Sequence, residues 1–216
     1  MPKTIGPTRA SGREPPATNA FQHIRYLASA VEPQQLPPDR GAEVAFVGRS
    51  NAGKSSAINA ICARRKLAFV SRTPGRTQMI NFFALGEGTC LVDLPGYGYA
   101  KVPAEIRDRW QNLLGFYLTR RAALRGLLIV VDARHGITAL DEGMVQWFAP
   151  RGMPIHILLT KADKLGRQEQ ARQLDLASRA LAQINPSASA QLFSSVTGDG
   201  LQQARALILE LLEQPE

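Results

Sequence analysis

The chain predicts an α/β fold, a doubly wound and mostly parallel six-stranded sheet with one antiparallel edge strand and helices on both faces. Three observations carry that expectation. Short apolar runs alternate with longer helix-forming stretches from Glu43 onward, the pattern of strands joined by crossover helices. One hairpin near the start interrupts the alternation, so one strand runs against the others. Hydrophobic residues make up 44% of 216 residues, which is material for a single well-buried core.

The elements follow in order. Residues 1–17 are rich in Pro, Gly, Ser and Thr and read as a disordered tail, leaving 18–216 as one domain. Phe21, Ile24, Tyr26, Leu27 and Val31 recur at roughly helical spacing after Thr18 and Asn19, both capping types. An N-terminal helix extension is therefore expected over about 19–31, broken by the linker PQQLPPDRG. Strands are expected at 44–47, at 79–85 and 89–92 around a Glu87-Gly88 turn, and at 126–132, 154–159 and 190–193. Helices are expected at 54–62, 104–121, 140–148, 168–184 and 201–212.

Composition narrows the function classes. Cys62 and Cys90 lie far apart and form no CxxC pair, which argues against a disulfide framework or zinc site and fits a reducing cytosol. No apolar run approaches the ~20 residues of a membrane span, and the N-terminus has no apolar signal core. A cytoplasmic, monomeric protein with no membrane or DNA partner is expected. The formal charge of +8 points to a polyanionic partner, or simply to a solvated basic surface.

The central motif is Gly48-Arg49-Ser50-Asn51-Ala52-Gly53-Lys54-Ser55, which fits GxxxxGK(S/T) between an apolar strand and a helix. Gly48 and Gly53 allow the backbone to wrap close to phosphate oxygens. The loop amides and the helix N-terminus direct partial positive charge at the anion. Lys54 is expected to reach the β- and γ-phosphates, and the Ser55 hydroxyl to ligate magnesium. Asp93-Leu94-Pro95-Gly96 ends another apolar strand. Asp93 can hold magnesium through a water, and Gly96 can offer its amide to a γ-phosphate. Between the two motifs, 71–78 is polar and glycine-bearing, the composition of a mobile loop. Thr73 and Thr77 compete there to complete the metal shell; Thr77, directly before the returning strand, is favoured. Lys54, Thr77 and Gly96 are the expected catalytic groups.

Thr160-Lys161-Ala162-Asp163 matches (N/T)KxD. Asp163 can accept hydrogen bonds from guanine N1 and N2, a donor pair that adenine lacks. Lys161 can lay its aliphatic stem over the base, and the Thr160 hydroxyl can tie loops together. Phe193-Ser194-Ser195 follows the last strand, where small residues let the backbone approach guanine O6. All four segments stand at C-terminal ends of strands, where open α/β sheets bind ligands. The expected ligand is GTP or GDP. A nucleotide kinase would share the phosphate loop, but Asp163 argues against it.

GRSNAGKS, TPGRTQ, DLPGYGYA and TKAD together resemble the EngB group of translation-factor-class P-loop GTPases over about residues 20–212. The resemblance implies a GTPase of the ribosome-assembly type, acting on the large subunit and its rRNA, and associated with normal cell division and septum formation. It places nucleotide contacts at 48–55, at Gly75, Arg76, Thr77, Gln78 and Met79, and at 93–96, 160–163 and 193–195, with magnesium on Ser55 and Thr77. Ras-like proteins carry a water-orienting glutamine directly after DxxG, where this chain has Tyr97, so slow intrinsic turnover is expected. Asn51 resembles the phosphate-loop position of potassium-dependent GTPases; it either holds K+ against the phosphates or stabilises the loop. The alternative to a hydrolysing switch is a nucleotide-dependent RNA- or ribosome-binding protein with negligible catalysis. Arg64, Arg65, Lys66, Arg72 and Arg76, and then Arg107, Arg109, Arg120, Arg121 and Arg125, flank the two switch segments as candidate RNA contacts.

Overall fold

The structure, a computed structural model, describes residues 20–68, 79–97 and 104–213, with the backbone alone over 104–111. The expected tail at 1–17, Thr73 and residues 75–78 lie outside the described residues. The strands are β1 (Arg25–Ala30), β2 (Ala42–Gly48), β3 (Ile80–Gly86), β4 (Thr89–Asp93), β5 (Leu124–Asp132), β6 (Ile155–Thr160) and β7 (Ser189–Leu192). The helices are α1 (Lys54–Ile61), α2 (Ala104–Arg120), α3 (Ala139–Phe148), α4 (Arg167–Ile184) and α5 (Leu201–Glu213). One sheet contains all seven strands in the order β1-β3-β4-β2-β5-β6-β7. The doubly wound α/β architecture is as expected, with one strand more than the expected six.

The extra strand replaces the expected N-terminal helix. Residues 25–30 pair antiparallel with β3, so the reversed strand, β3, lies one place in from the edge. The outer edge of β3 would otherwise present a row of unpaired N–H and C=O groups. Ser29 Oγ donates to Asn81 Oδ1 at 2.6 Å, and the Tyr26 ring meets Phe83 edge-on at 6.4 Å between centroids. The helical spacing mixed two environments: Phe21 and Ile24 are buried in the turn before β1, whereas Tyr26 and Leu27 are exposed on the strand. Long-range pairing decides the conformation over local spacing.

Alternation along the strands splits the core. Ala45 and Val47 of β2 face one cluster with Leu127 and Ile129 of β5, under residues of α2, α3 and α4. Val44 and Phe46 face the other with Leu128 and Val130, under α1 and α5. The near-continuous apolar runs of β2 and β5 are what a parallel strand covered on both faces requires.

The segment 33–41, expected as a linker, is tied down. Asp39 accepts from the Ala122 and Ala123 amides at 3.0 and 2.8 Å. Arg121 donates to the carbonyls of Pro37 and Pro38 at 2.8 and 3.2 Å. The same guanidinium grips Glu43 through Nη2–Oε1 at 2.6 Å and Nε–Oε2 at 3.0 Å, and the Tyr117 hydroxyl adds a bond to Oε2 at 2.8 Å. Arg121 therefore leaves the expected RNA-facing set: it is buried and neutralises a carboxylate in the core. Arg125 is also engaged, with Ala122 O and Gly41 O.

Candidate nucleotide site

The phosphate loop joins β2 to α1. Gly53 has φ 100°, a left-handed conformation that a β-carbon opposes, and stands as N-cap of α1 with Lys54 and Ser55 in the first turn. Gly48 is required for a further reason: a Cβ there would lie 2.6 Å from the Val130 carbonyl oxygen of β5. Asn51 is left-handed at φ 63°, which asparagine tolerates. Lys54 pairs with Asp93, the last residue of β4, so the phosphate-loop cation and the expected metal carboxylate converge.

After β4 the chain continues beside the phosphate loop. Leu94 N donates to Phe46 O at 2.9 Å and Tyr97 N to Gly48 O at 3.2 Å. These two bonds hold Pro95 and Gly96 along the end of β2. The Tyr97 side chain turns into the core, where its hydroxyl donates to Asp141 Oδ1 at 2.5 Å. Burial, followed by the Asp141 carboxylate, pushes that phenol far above its ordinary range. A neutral, engaged phenol in the core cannot orient a water at the phosphates.

The candidate base-reading segment, 160–163, is tied to the phosphate loop. The Thr160 hydroxyl donates to Ala52 O at 2.5 Å, the loop-tying role expected of it. Lys161 Nζ donates to Asn51 O and to Asp132 Oδ2, both at 2.7 Å. Ser194 Oγ donates to Asp163 Oδ1 at 2.7 Å, and Lys164 Nζ is 3.2 Å from Oδ2. The Ser194 bond leads the interactions that hold Asp163 below the usual carboxylate range, so it is an anion ready to accept two donors. Ala162 N donates to Phe193 O at 3.2 Å, joining this loop to the one after β7. The Phe193 and Ala162 side chains are buried in the core, so they face a ligand only through their backbone, whereas Ser195 is exposed.

The structure thus brings together 48–55, 93–96, 160–163 and 193–195 at one edge of the sheet. Met79 stands immediately before β3 and is exposed. Gly75, Arg76, Thr77 and Gln78 lie outside the described residues. A cavity of about 210 Å³ beside the phosphate loop is lined by Arg49, Ser50, Asn51, Asp132, Arg134 and Lys161, among others.

Two residues here escaped the sequence reading. Asp132 ends β5, binds Lys161, and accepts from Arg134 Nη2 at 2.7 Å. Burial raises its pKa, but the Arg134 and Lys161 bonds outweigh burial and hold it well below the usual range. A carboxylate closing an apolar strand at the edge where Asp93 closes another was the available signal. For Asp141 the signal was the capping-box spacing Thr138-x-x-Asp141, which the structure shows formed at the start of α3.

A family model described as a 50S ribosome-binding GTPase matches residues 43–161. The probable GTP-binding protein EngB of Aromatoleum aromaticum is 52% identical over 195 residues, covering 90% of each chain. That of Thiobacillus denitrificans is 54% identical over 192 residues, 89% of this chain and 92% of its own. The chain belongs to the EngB family of GTP-binding proteins. A crystal structure of a probable GTP-binding protein EngB superposes with TM-score 0.63 at 21% identity, over 81% of this chain and all of that one. Era in complex with MgGDPNP and part of the 16S ribosomal RNA gives TM-score 0.64 at 22% identity, over 82% of this chain and 58% of that one. Both show the same fold. The EngB family and its GTPase domain make this chain a GTPase. No helix among the described residues is long and apolar enough to cross a membrane.

Proposed function

We propose that this EngB-family GTPase is a switch on the assembling large ribosomal subunit: GTP orders the loops at 72–78 and 94–104, the protein docks, and hydrolysis releases it. The observation that carries the reading is the convergence of Lys54, Asp93 and Asp163 at one edge, with Tyr97 withdrawn into the core. The residues supply GTP binding and γ-phosphate sensing, but no described side chain takes the place of a water-orienting glutamine. Turnover in isolation is therefore slow, below about 1 per second, and acceleration comes from the ribosomal partner.

Within the site, Lys54 would leave Asp93 for the β- and γ-phosphates, and Gly96 would donate its amide to the γ-phosphate. Asp163 would accept from guanine N1 and N2, with Lys161 along the base and the backbone at 193–195 toward O6. The Ser55 hydroxyl and the Asp93 carboxylate are hard oxygen donors next to Lys54, which suits magnesium, and Thr77 is assigned as its further ligand. A bound magnesium ion would neutralise charge on the phosphate oxygens during transfer. Potassium at Asn51 is assigned the task of an arginine finger; equal GTPase rates in sodium and potassium salts would remove it.

Ribosomal docking draws support from the 50S ribosome-binding family model and from the RNA-bound Era neighbour. Arg64, Arg65 and Lys66 are exposed beyond α1 and offer phosphate contacts. The role in cell division and septum formation extends the family resemblance, and depletion of the protein tests it through septum counts. The direct test of docking is co-sedimentation with ribosomal subunits in a GTP analogue and in GDP. Large-subunit binding that is stronger with the analogue and weakens with salt is expected; equal binding in both nucleotides removes the switch. The buried Tyr97 also fits a second reading, a nucleotide-gated RNA-binding protein with negligible turnover. Single-turnover hydrolysis with and without subunits separates the two.

A further inference from the structure

Asp141 lies in the first turn of α3, outside every nucleotide motif, and its side chain is buried. Both carboxylate oxygens are engaged. Oδ2 accepts from the Thr138 amide at 2.8 Å and the Thr138 hydroxyl at 2.6 Å. Oδ1 accepts from the Tyr97 hydroxyl at 2.5 Å. The first pair of bonds is local and belongs to the helix start, so it orients the carboxylate independently of Tyr97. The second bond reaches across to the segment carrying Gly96.

We infer that Asp141 is a positioning residue for γ-phosphate recognition: by holding the Tyr97 phenol it fixes the Gly96 amide beside the phosphate loop. The inference rests on the proposed role of Gly96 as the γ-phosphate reader. The segment 94–97 is attached to the end of β2 by Leu94 N to Phe46 O and Tyr97 N to Gly48 O, the latter within a parallel bridge between Tyr97 and Arg49. The Tyr97 bond is the longer, at 3.2 Å against 2.9 Å. Pro95 between them has no N–H to give. The C-terminal end of the segment therefore depends on what holds residue 97, and the side-chain bond is a short O–H···O⁻ contact in a buried setting, the stronger class of hydrogen bond. The Tyr97 ring packs in the core cluster with Leu94, Val131 and Met144, which keeps the residue inward. The hydroxyl adds a defined end point that packing alone does not give.

A residue that only stabilises the fold would, when changed, weaken GDP and GTP binding alike or neither. A residue that positions the γ-phosphate reader changes the difference between them. The test uses the whole chain and titrates GDP and a non-hydrolysable GTP analogue into Tyr97→Phe, Asp141→Ala and Asp141→Asn. Tyr97→Phe keeps the ring and removes the hydroxyl alone. It and Asp141→Ala are expected to narrow the analogue-to-GDP affinity ratio by roughly tenfold, the scale of one charge-assisted bond, with GDP affinity changed less than about twofold. Asp141→Asn leaves one acceptor oxygen to be shared between Thr138 and Tyr97 and is expected to recover only part of the ratio. Retained GDP binding certifies the fold of each variant. A ratio equal to the parent's in Tyr97→Phe and Asp141→Ala, or equal losses for both nucleotides, overturns the inference. Gly96→Pro, which removes the amide hydrogen, separates the two levels: if it leaves the ratio untouched, the assigned role of Gly96 fails; if it narrows the ratio while Tyr97→Phe does not, the inference about Asp141 alone fails.

Discussion

At the edge where the parallel strands begin, Arg121 and Glu43 form a pair whose side chains are 3% and 4% exposed. At the edge where they end, the cations are more open: Lys54 is 12% exposed against Asp93, and Lys161 30% against Asp132. The first pair has its remaining hydrogen-bond capacity filled by Tyr117 and by the carbonyls of Pro37 and Pro38. The second set consists of groups that a nucleotide can recruit. A closed network fixes one end of the sheet, and at the other end opposite charges hold one another in place while staying reachable. The difference teaches that an ion pair's surroundings, more than its partners, decide whether it serves the fold or the ligand.

The comparison breaks most sharply at Arg121. Arg121→Ala leaves Glu43 buried without its counter-ion, and a loss of about 3–5 kcal/mol is expected in denaturant unfolding. Glu43 lies five residues before Gly48 in β2, roughly 16 Å along a strand. Folded Arg121→Ala should therefore bind GDP within about twofold of the parent; a larger loss would mean that the two edges are coupled.

Asp163→Ala is the converse. Roughly a hundredfold loss of GTP affinity is expected in equilibrium titration, because guanine N1 and N2 lose their acceptor. The unfolding midpoint should move little, since Asp163 lies at the ligand edge and its side chain is paired with Ser194 and Lys164. Gain of ATP binding to the level of GTP would contradict its role as base reader only if the parent failed to discriminate as well, so both are measured.

His156 of β6 sharpens the contrast through pH. Its Nδ1 is 2.7 Å from Ser189 Oγ and its Nε2 3.0 Å from Gln191 Oε1, which suits a neutral ring donating from Nε2. Burial lowers its pKa to about 4. The unfolded chain then binds a proton below about 6.5 that the folded protein refuses, so stability is full above that pH and is lost as pH falls toward the folded value. Between pH 6.5 and 5 the expected loss is up to about 1.4 kcal/mol per unit. The depressed carboxylates Asp132 and Asp163 lose their contribution at lower pH, as they protonate, so this window belongs to the histidine. His156→Gln should flatten unfolding free energy across it; an unchanged slope refutes the assignment.

The smallest effect is expected at Thr160→Val, which deletes the hydroxyl bound to Ala52 O. One neutral hydrogen bond is worth about 1 kcal/mol, so nucleotide affinity should fall roughly fivefold and stability by a similar free energy. No change in affinity would show that the phosphate loop holds its shape without the tie.

The ligand edge was legible in the sequence because each of its motifs is contiguous. GRSNAGKS, DLPG and TKAD each carry their geometry within a few residues, and the apolar runs before them state which strand end they occupy. The opposite edge was not legible. Arg121 meets Glu43 across 78 positions, and charge counting assigned it to the surface. Yet Glu43 inside the apolar run AEVAFVG was itself a sign, since a carboxylate in a strand covered on both faces requires a cation. Strand β1 failed for a related reason: its partner β3 begins about fifty residues later, and spacing within 19–31 holds no record of an edge waiting to be paired. The Tyr97–Asp141 bond, across 44 positions, belongs to the same class. Local chemistry is written locally, and pairing across the sheet is not.

The single reversed strand has a mechanical consequence. Because β3 runs against β4, its first residues lie beside the last residues of β4, with Asn81 opposite Asp93. The chain before Ile80 and the chain after Asp93 are thus anchored to the same end of one two-stranded ribbon, whose turn at Glu87-Gly88 lies at the far edge. Two segments joined to one ribbon share its tilt. A load applied at the turn, by a ribosomal surface or by an experimenter's tether, would reach both of them at once.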